Sequence, residues 1–394
     1  MDALAPLARH GRLGTDGRAQ VVIVEEYLYD YRRRFFELLE AALAERSVRL
    51  TVVVGPVPEA LAARRDSTQR PPFVREASTR ALSLLGRTVT YKRVADLVRG
   101  SDLVVVDQAL RHLENYELIL RRRSGPKVAF WGHGARRVKS ASALELFLER
   151  RLTKSVDWFF AYTRTGAAQA AASGLHPERI TVVRNTVDVR ELADQRDSIT
   201  EDDRARLRAE LDLPAHHVGL FIGALDESKR IPFLLEACSH VVRKVPSFVL
   251  VIAGAGNDRA LVEKAARSSP WLRYVGRAAG IEKARLGSVS DVLLMPGRVG
   301  LVAVDSFALR TPIVTTTWPY HAPEADYLED RVNALFAPDS VTGYADAVAD
   351  LLTAPETLAA LQSGCGESAP HYSLEGMVER FTDGVVSALA APRA

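Results

Sequence analysis

Residues 296–314, PGRVGLVAVDSFALRTPIV, pass from a loop with two glycines through a helical pattern into a short apolar strand. Glycine lets a backbone approach a ligand closely, and the first amide groups of a helix carry partial positive charge without intrahelical partners. The stretch therefore predicts a binding site for an anionic group. Because it has neither the P-loop lysine pattern nor the G-x-G-x-x-G spacing, these residues alone leave the ligand open.

Short apolar runs alternate with amphipathic helical patterns on both sides of this stretch. Strands are predicted at residues 20–24, 48–54, 102–106, 127–131, 158–162 and 180–184, and again at 218–222, 248–253, 273–275, 291–295 and 313–315. Continuous valine, isoleucine and leucine runs joined by helical crossovers are typical of parallel strands buried on both faces. We therefore predict an α/β fold with two doubly wound, Rossmann-like domains.

The domain boundaries follow from composition. Residues 188–214 are highly charged and lack strand character, which favours a linker that runs into a short helix capped near Thr200. We place a flexible tail at residues 1–19, an N-terminal domain at 20–190, the linker at 191–215, a C-terminal domain at 216–375 and a final helix at 376–394. Ligands of doubly wound sheets bind at the carboxyl ends of the strands, so the default site is the cleft between the domains.

The charge balance and the cysteine content exclude several classes of protein. The chain has 394 residues, and its 52 basic and 49 acidic residues leave a net charge of +3, too small for a general nucleic-acid binder. Cys238 and Cys365 form no C-x-x-C pair, so we expect neither a disulfide nor a zinc site, as in a reducing cytoplasm. No apolar run is long enough to span a bilayer, and the first residues lack the apolar core of a signal peptide.

In the second half, loops that follow predicted strands carry candidate site residues. After Gly223, Lys229 and Arg230 place two cations beside a helix start, which suits an anionic ligand such as a diphosphate. A solvated basic loop is an equal alternative. Gly254 and Gly256 form only a bare G-x-G pattern, which more often marks a tight turn.

In the opening stretch, Gly297 and Gly300 precede the helix amides that form the predicted anion site. Asp305 lies in the second turn of that helix, where its carboxylate is placed to accept hydrogen bonds from ribose hydroxyls. We favour this interpretation over solvation of a surface carboxylate.

Candidate residues in the first half follow two other strands. His133 lies between two glycines at a strand exit, which suits a hydrogen bond to substrate or proton transfer near neutral pH, although a lone histidine is usually structural. The residues after the first strand could read hydroxyl or amine groups of an acceptor, or could equally cap a helix and form a solvated turn. These acceptor-side candidates are Glu25, Glu26, Tyr27, Asp30 and Arg32.

Four segments in order resemble segments of one known family: RITVVRNTVD at 179–188, GALDESKRIPFLLEA at 223–237, DSFALRTPIV at 305–314 and APEADYLEDRVNALF at 322–336. Over roughly residues 20–389, the chain resembles the retaining nucleotide-sugar glycosyltransferases of the GT-B fold, glycosyltransferase family 4. The motifs WGHG and PG-x-VGL are most similar to a bacterial branch of that family.

The resemblance implies a role for each candidate. Lys229 would neutralise the donor diphosphate with Arg230 nearby, and His133 would lie near the transferred sugar. The other implied donor-binding residues are Gly223, Gly297, the amides of Val299, Gly300, Leu301 and Val302, the ribose ligand Asp305, and, flanking the base, Gly254, Gly256, Tyr274 and Val275. Two features depart from the family pattern, because Ala224 stands for its arginine and the first glutamate of its E-x7-E motif has no counterpart.

The implied activity is transfer of a sugar from a UDP- or GDP-sugar to a small-molecule or glycan acceptor with retention of configuration, in the biosynthesis of an antibiotic, polysaccharide or glycolipid. No D-x-D stands at a credible strand end, so we expect no metal and no cofactor. Another GT-B sugar-nucleotide enzyme, such as an epimerase, and a non-catalytic nucleotide-sugar-binding protein are the alternatives. We expect a monomer or homodimer, and weak contact of basic residues 31–36 and 120–125 with a membrane surface is less favoured than solvation.

Overall fold

The computed structural model describes residues 17–57, 70–84, 87–134 and 142–394. The chain divides into two compact units, the first comprising Met1–Asn185 and Leu374–Ala394 and the second Thr186–Ser373. Almost all of the predicted tail at residues 1–19 lies outside the described residues, as does the part of the segment FWGHGARR that follows Gly134.

The first unit contains a seven-stranded parallel sheet and a separate antiparallel hairpin. In chain order the strands are β1 (Ala19–Glu25), β2 (Val48–Val54), β3 (Val74–Glu76), β4 (Thr79–Leu84), β5 (Arg87–Lys92), β6 (Leu103–Asp107), β7 (Lys127–Gly132), β8 (Trp158–Ala161) and β9 (Ile180–Val182). The sheet has the order β3-β2-β1-β6-β7-β8-β9, and β4 pairs with β5. Among the described residues, the helices of this unit are α1 (Asp30–Glu45), α2 (Leu113–Arg121), α3 (Ala143–Lys154), α4 (Arg164–Ala172) and the C-terminal helix Leu374–Ala390.

Both faces of this sheet are buried, which is why its strands are continuously apolar. In β1, Val21 and Ile23 belong to one apolar cluster with α1 and the C-terminal helix, whereas Val22 and Val24 belong to a second cluster on the other face. Successive side chains of a strand point to opposite faces. A run of valines and isoleucines therefore fills both layers, and the predicted crossover pattern follows from it.

The second unit contains a six-stranded parallel sheet with the order β12-β11-β10-β13-β14-β15. Its strands are β10 (Val218–Ala224), β11 (Val249–Ala255), β12 (Leu272–Gly276), β13 (Val292–Met295), β14 (Ile313–Thr316) and β15 (Ala334–Ala337). Its helices are α5 (Val189–Ser198), α6 (Glu201–Leu211), α7 (Ile231–Lys244), α8 (Arg259–Ser268), α9 (Ile281–Ser288), α10 (Val302–Leu309), α11 (Val341–Leu352) and α12 (Pro355–Ser368). The C-terminal helix, which belongs to the first unit, is numbered α13. Short 3-10 turns cover Pro177–Arg179, Glu227–Lys229, Pro323–Tyr327 and Ala369–Tyr372.

The stretch predicted as a linker, residues 191–215, is instead mostly helical and belongs to the second unit. Asp188 caps α5 and Thr200 caps α6, while Leu192 and Leu207 are buried in the core of this unit. The charged residues lie mainly on the outer faces of two short helices, so a high charge content marked an exposed face here. The C-terminal helix α13 is part of the first unit, where Phe381 stacks on Phe160 with ring centroids 4.3 Å apart.

Candidate functional site

The loop after β13 packs directly on the loop after β10, because these strands are neighbours in the second sheet. The amide of Arg298 donates to the carbonyl of Ser228 at 2.8 Å, and the Lys229 ammonium donates back to the carbonyl of Arg298. A Cβ atom on Gly297 would lie 2.4 Å from the Ser228 oxygen and 2.6 Å from the Lys229 carbonyl carbon. Glycine is therefore required at position 297 by the approach of two backbones.

Lys229 is the cation at the centre of these two loops. Its partial burial lowers the pKa of the ammonium to about 8, with the charge of Arg298 acting in the same direction and Asp226 opposing it. Burial penalises the charged form of a lysine, so an anionic ligand nearby would restore its preference for the proton. The structure thus places a cation with an unusually low pKa at the carboxyl end of the sheet.

Arg230 is engaged by other groups of the same unit. Its guanidinium pairs with Asp339, donates to the carbonyl of Pro296 at 3.2 Å and lies 4.2 Å from the ring centroid of Phe233. The side chain of Arg230 is 22% exposed. A phosphate contact by Arg230, as predicted, would have to compete with Asp339.

Three of the four predicted amides are left without an acceptor where the loop runs into helix α10. The amide of Val299 donates to Nδ1 of the buried His321 at 3.1 Å, while His321 Nε2 lies 2.9 Å from the carbonyl of Thr316. His321, which was not chosen as a site residue from the sequence, holds the loop from a position 22 residues away. The amides of Gly300, Leu301 and Val302 have no acceptor among the described residues, and the Leu301 side chain provides no cap. These three amides remain as donors for a ligand.

Asp305, the predicted ribose ligand, already has a cationic neighbour. Its Oδ2 atom accepts from the Lys283 ammonium on α9 at 2.9 Å, and its side chain is 13% exposed. Glu324 is the other carboxylate beside this loop, since its Oε2 would lie 3.9 Å from a Cβ on Gly300. Glu324 is only 4% exposed and was found in the sequence as part of a family-like segment without being chosen as a site residue.

The predicted base-flanking residues lie at the ends of β11 and β12. A Cβ on Gly254 would meet the carbonyl oxygen of Gly223 at 2.0 Å, and one on Gly256 would meet that of Leu225 at 2.2 Å. These glycines are therefore required by packing between the ends of β10 and β11. Tyr274 donates from its hydroxyl to the carbonyl of Gly254 at 2.9 Å. Val275 follows it in β12, partly buried.

In the first unit, His133 directly follows β7 and is exposed. Its ring meets that of Tyr162 edge-on with centroids 4.8 Å apart. The next residue, Gly134, has a φ of +86°, and a Cβ there would lie 2.1 Å from the carbonyl of Gly166 on α4. The glycine thus holds the strand exit against α4 and leaves the histidine at the surface.

Two of the acceptor-side candidates join a buried polar cluster. Arg32 is 5% exposed, donates from Nη2 to the Tyr162 hydroxyl at 3.1 Å and stacks 4.1 Å from the ring centroid of Trp131. Glu25 and Asp107 end the adjacent strands β1 and β6, whose register pairs Val24 with Val106. Sequence analysis missed Asp107, which becomes a neighbour of Glu25 only through the sheet order.

The two carboxyl groups of this cluster hold protons more tightly than usual. Burial, followed by the charge of Asp107, raises the pKa of Glu25 to about 8 against the opposing effect of Arg32. Burial also raises the pKa of Asp107, opposed by Lys92 and Arg32. Glu25 and Asp107 therefore share a raised affinity for protons at the carboxyl end of the first sheet.

Of the remaining acceptor-side candidates, Glu26 acts on that cluster through its charge, which raises the pKa of Glu25 and of Asp107. Glu26 pairs with Arg111, and the ring of Tyr27 packs on that of Tyr29 with centroids 4.0 Å apart. Asp30 is exposed and begins α1, where a carboxylate suits the helix dipole.

Two family models match the chain. The model described as Glycosyltransferase Family 4 matches residues 33–191, and the model described as Glycosyl transferases group 1 matches residues 216–354. The first match lies largely in the first unit and the second in the second unit, so both units are accounted for.

Curated relatives match parts of the chain. A D-inositol 3-phosphate glycosyltransferase from Saccharomonospora viridis is 30% identical over 48% of this chain and 47% of its own. The alpha-D-kanosaminyltransferase of Streptomyces kanamyceticus is 24% identical over 69% of this chain and 66% of its own. The chain therefore spans about half to two thirds of the length of these two relatives.

Solved structures match almost the whole chain. Anabaena HepE in complex with UDP and glucose has a TM-score of 0.68 at 14% identity, covering 94% of this chain and 100% of its own. Sucrose-phosphate synthase from Thermosynechococcus elongatus has a TM-score of 0.65 at 15% identity, covering 93% of this chain and 98% of its own. At such identities the likeness establishes a shared fold.

Proposed function

The chain belongs to glycosyltransferase family 4 and has the GT-B fold, and from this premise we propose that it transfers a sugar from a nucleotide-sugar donor to an acceptor with retention of configuration. The family and the fold that were predicted from the sequence are confirmed. The transfer reaction, the nucleotide-sugar donor and the retention of configuration are proposed, and we propose that the donor binds to the second unit.

The observation that carries the proposal is the set of donors at the carboxyl end of β10 and β13. It comprises the Lys229 ammonium and the amides of Gly300, Leu301 and Val302. A sugar leaves a nucleotide when the developing charge on its diphosphate is stabilised. Preorganised amides and a cation supply that stabilisation without a metal. We therefore propose that the diphosphate of the donor binds here.

We also propose that Arg298, rather than the predicted Arg230, is the second cation of this site. Arg298 lies close enough to Lys229 for its charge to lower the lysine's pKa, and its backbone is bonded to the Lys229 loop on both sides. Its side chain is partly buried and donates to the carbonyl of Tyr320 at 3.2 Å, without a carboxylate partner among the described residues. Arg230, by contrast, is neutralised by Asp339.

On the acceptor side, we propose that His133 contacts the acceptor or the transferred sugar. Its exposed ring stands at the carboxyl end of β7. The inositol-directed relatives support a hydroxyl-rich cyclic acceptor, since their names place inositol phosphate or phosphatidyl-myo-inositol in the reaction. The kanosaminyltransferase supports a kanosaminyl group as the transferred sugar, and a role in antibiotic biosynthesis stays a prediction from the sequence. HepE, whose structure holds UDP, supports a uridine donor.

The test combines binding and turnover. UDP, GDP and a panel of their sugars are titrated by calorimetry, and donor consumption is then followed with and without cyclitol acceptors. We expect one nucleotide to bind and its sugar to be transferred, with the anomeric configuration of the product read by NMR. Nucleotide binding without consumption of any donor would favour a non-catalytic binding protein, and acceptor-independent conversion of the sugar would favour an epimerase. A product with inverted anomeric configuration would refute retention of configuration but would leave sugar transfer standing.

A further inference from the structure

Helix α3 exposes most of its large apolar side chains. Leu144 and Phe147 are 66% and 61% exposed, and the neighbouring Leu148 is 36% exposed. The fully buried side chains of this helix are polar, Glu149 and Thr153, and Thr153 accepts from the Gln108 side chain at 3.1 Å, while Leu152 is only partly buried against the apolar core. A surface helix of a globular protein normally buries its apolar stripe.

The exposed side chains form one continuous surface. Positions 144, 147, 148 and 151 follow the spacing of three and four that brings residues onto one helix face. This face carries Leu144, Phe147 and Leu148 near its start, and exposed basic residues follow towards its end. Those residues are Arg150, Arg151 and Lys154.

We propose that α3 docks on an anionic membrane surface, with its three apolar side chains in the interface and its basic residues at the headgroups. Apolar side chains beside a cluster of cations are the combination that an anionic bilayer binds, through buried apolar area and electrostatic attraction together. Among the described residues no helix has the length and hydropathy to cross a bilayer, so α3 would lie on the surface.

This surface differs from residues 31–36, the first basic segment considered from the sequence. There Phe35 and Phe36 are buried in the core, and Tyr31 is the exposed large side chain, so the segment presents no cluster of apolar side chains. Membrane binding by α3 is independent of sugar transfer, because it can be measured without a donor or an acceptor.

The experiment measures co-sedimentation with vesicles of phosphatidylcholine, with and without phosphatidylglycerol. We expect the full chain to bind the anionic vesicles and to be released by salt, because salt screens charges at a surface. The double variant Leu144→Ser and Phe147→Ser should lower the partition coefficient by about tenfold, and Arg150→Gln with Arg151→Gln by a similar factor.

The matched control is Leu82→Ser on β4, which removes a single exposed leucine, 52% exposed, elsewhere in the same unit. It should bind vesicles as the unchanged chain does, and thermal unfolding should show that every variant is folded. The proposal is overturned if the unchanged chain ignores anionic vesicles, or if the α3 variants bind them equally well. A dimer that the α3 double variant converts to a monomer, without vesicle binding, would assign the face to a second copy instead.

Discussion

Substituting Gly297 by alanine should separate the two loops that hold Lys229. The new Cβ would lie 2.4 Å from the Ser228 oxygen and within 2.7 Å of two Lys229 backbone atoms, whereas real Cβ atoms keep at least 3.0 Å from such neighbours. The two backbones must therefore move apart by roughly half an ångström or more in a closely packed interior. Both hydrogen bonds that join Arg298 to the 228–229 segment would lengthen.

The magnitude follows from overpacking and from misplacement of a cation. Inserting a methyl group into a filled site costs about 1–3 kcal/mol of stability. If Lys229 moves with its loop, displacement of a reacting group by about 1 Å can lower turnover on the order of a hundredfold. Donor affinity should fall as well, since the Lys229 ammonium would no longer be held by the Arg298 carbonyl.

Gly300→Ala in the same loop is the matched control for stability. Its Cβ would approach Ala322 at 3.4 Å, an ordinary contact, and its φ is not positive. Where the native backbone suits alanine, the substitution stabilises by about 0.4–1 kcal/mol through the unfolded chain. The two alanine variants should therefore change stability in opposite directions.

The assay is urea unfolding of both variants, combined with hydrogen exchange of the peptide around Arg298. We expect Gly297→Ala alone to unfold at lower urea and to exchange faster at the Arg298 amide. Equal midpoints and equal exchange in the two variants would refute the reasoning from backbone contact.

Other predictions concern charge. Arg298→Gln should weaken nucleotide-diphosphate binding by about tenfold to a hundredfold in calorimetry. Arg230→Gln should mainly lower the melting temperature, because it leaves Asp339 without its ion-pair partner. If instead Arg230→Gln weakens binding and Arg298→Gln does not, Arg230 is the second cation of the site. Nucleotide affinity should fall as the pH rises above about 8, where Lys229 loses its proton, and Lys229→Met should abolish that slope; a pH-independent affinity would contradict the role of its charge. Glu25 has a raised pKa in the folded state, so its contribution to stability is present below pH 4.5 and is lost as the pH rises through about 8. Melting temperatures of Glu25→Gln measured across this range should therefore fall less steeply than those of the unchanged chain, and parallel curves would exclude Glu25 as the cause. If Asp305 binds ribose, Asp305→Asn should weaken nucleotide binding, whereas unchanged affinity together with a lower melting temperature would assign it to the Lys283 ion pair alone.

Most of the described strands were predictable because their signal is local, whereas β3, β4, β5 and β15 were not predicted. A strand buried on both faces needs a continuous apolar run, and each of the predicted runs overlaps an observed strand in both sheets. The linker prediction was wrong because it used only the charge content of the segment. Charged residues mark the exposed face of a helix and do not show whether its other face is buried, so the buried Leu192 and Leu207 were overlooked among their charged neighbours.

For the candidate site, too, some features were predictable from local sequence and others were not. The amino-acid sequence by itself determined the fold class, the family and the glycine-bearing loop before α10, because each depends on residue types at short spacing. Only the tertiary structure decided which partners the charges have: Asp339 for Arg230, Lys283 for Asp305, and Asp107 beside Glu25. Asp339 lies 109 positions from Arg230 along the chain. Sheet order and loop packing bring such residues together, and electrostatic energy depends on distance in space rather than along the chain.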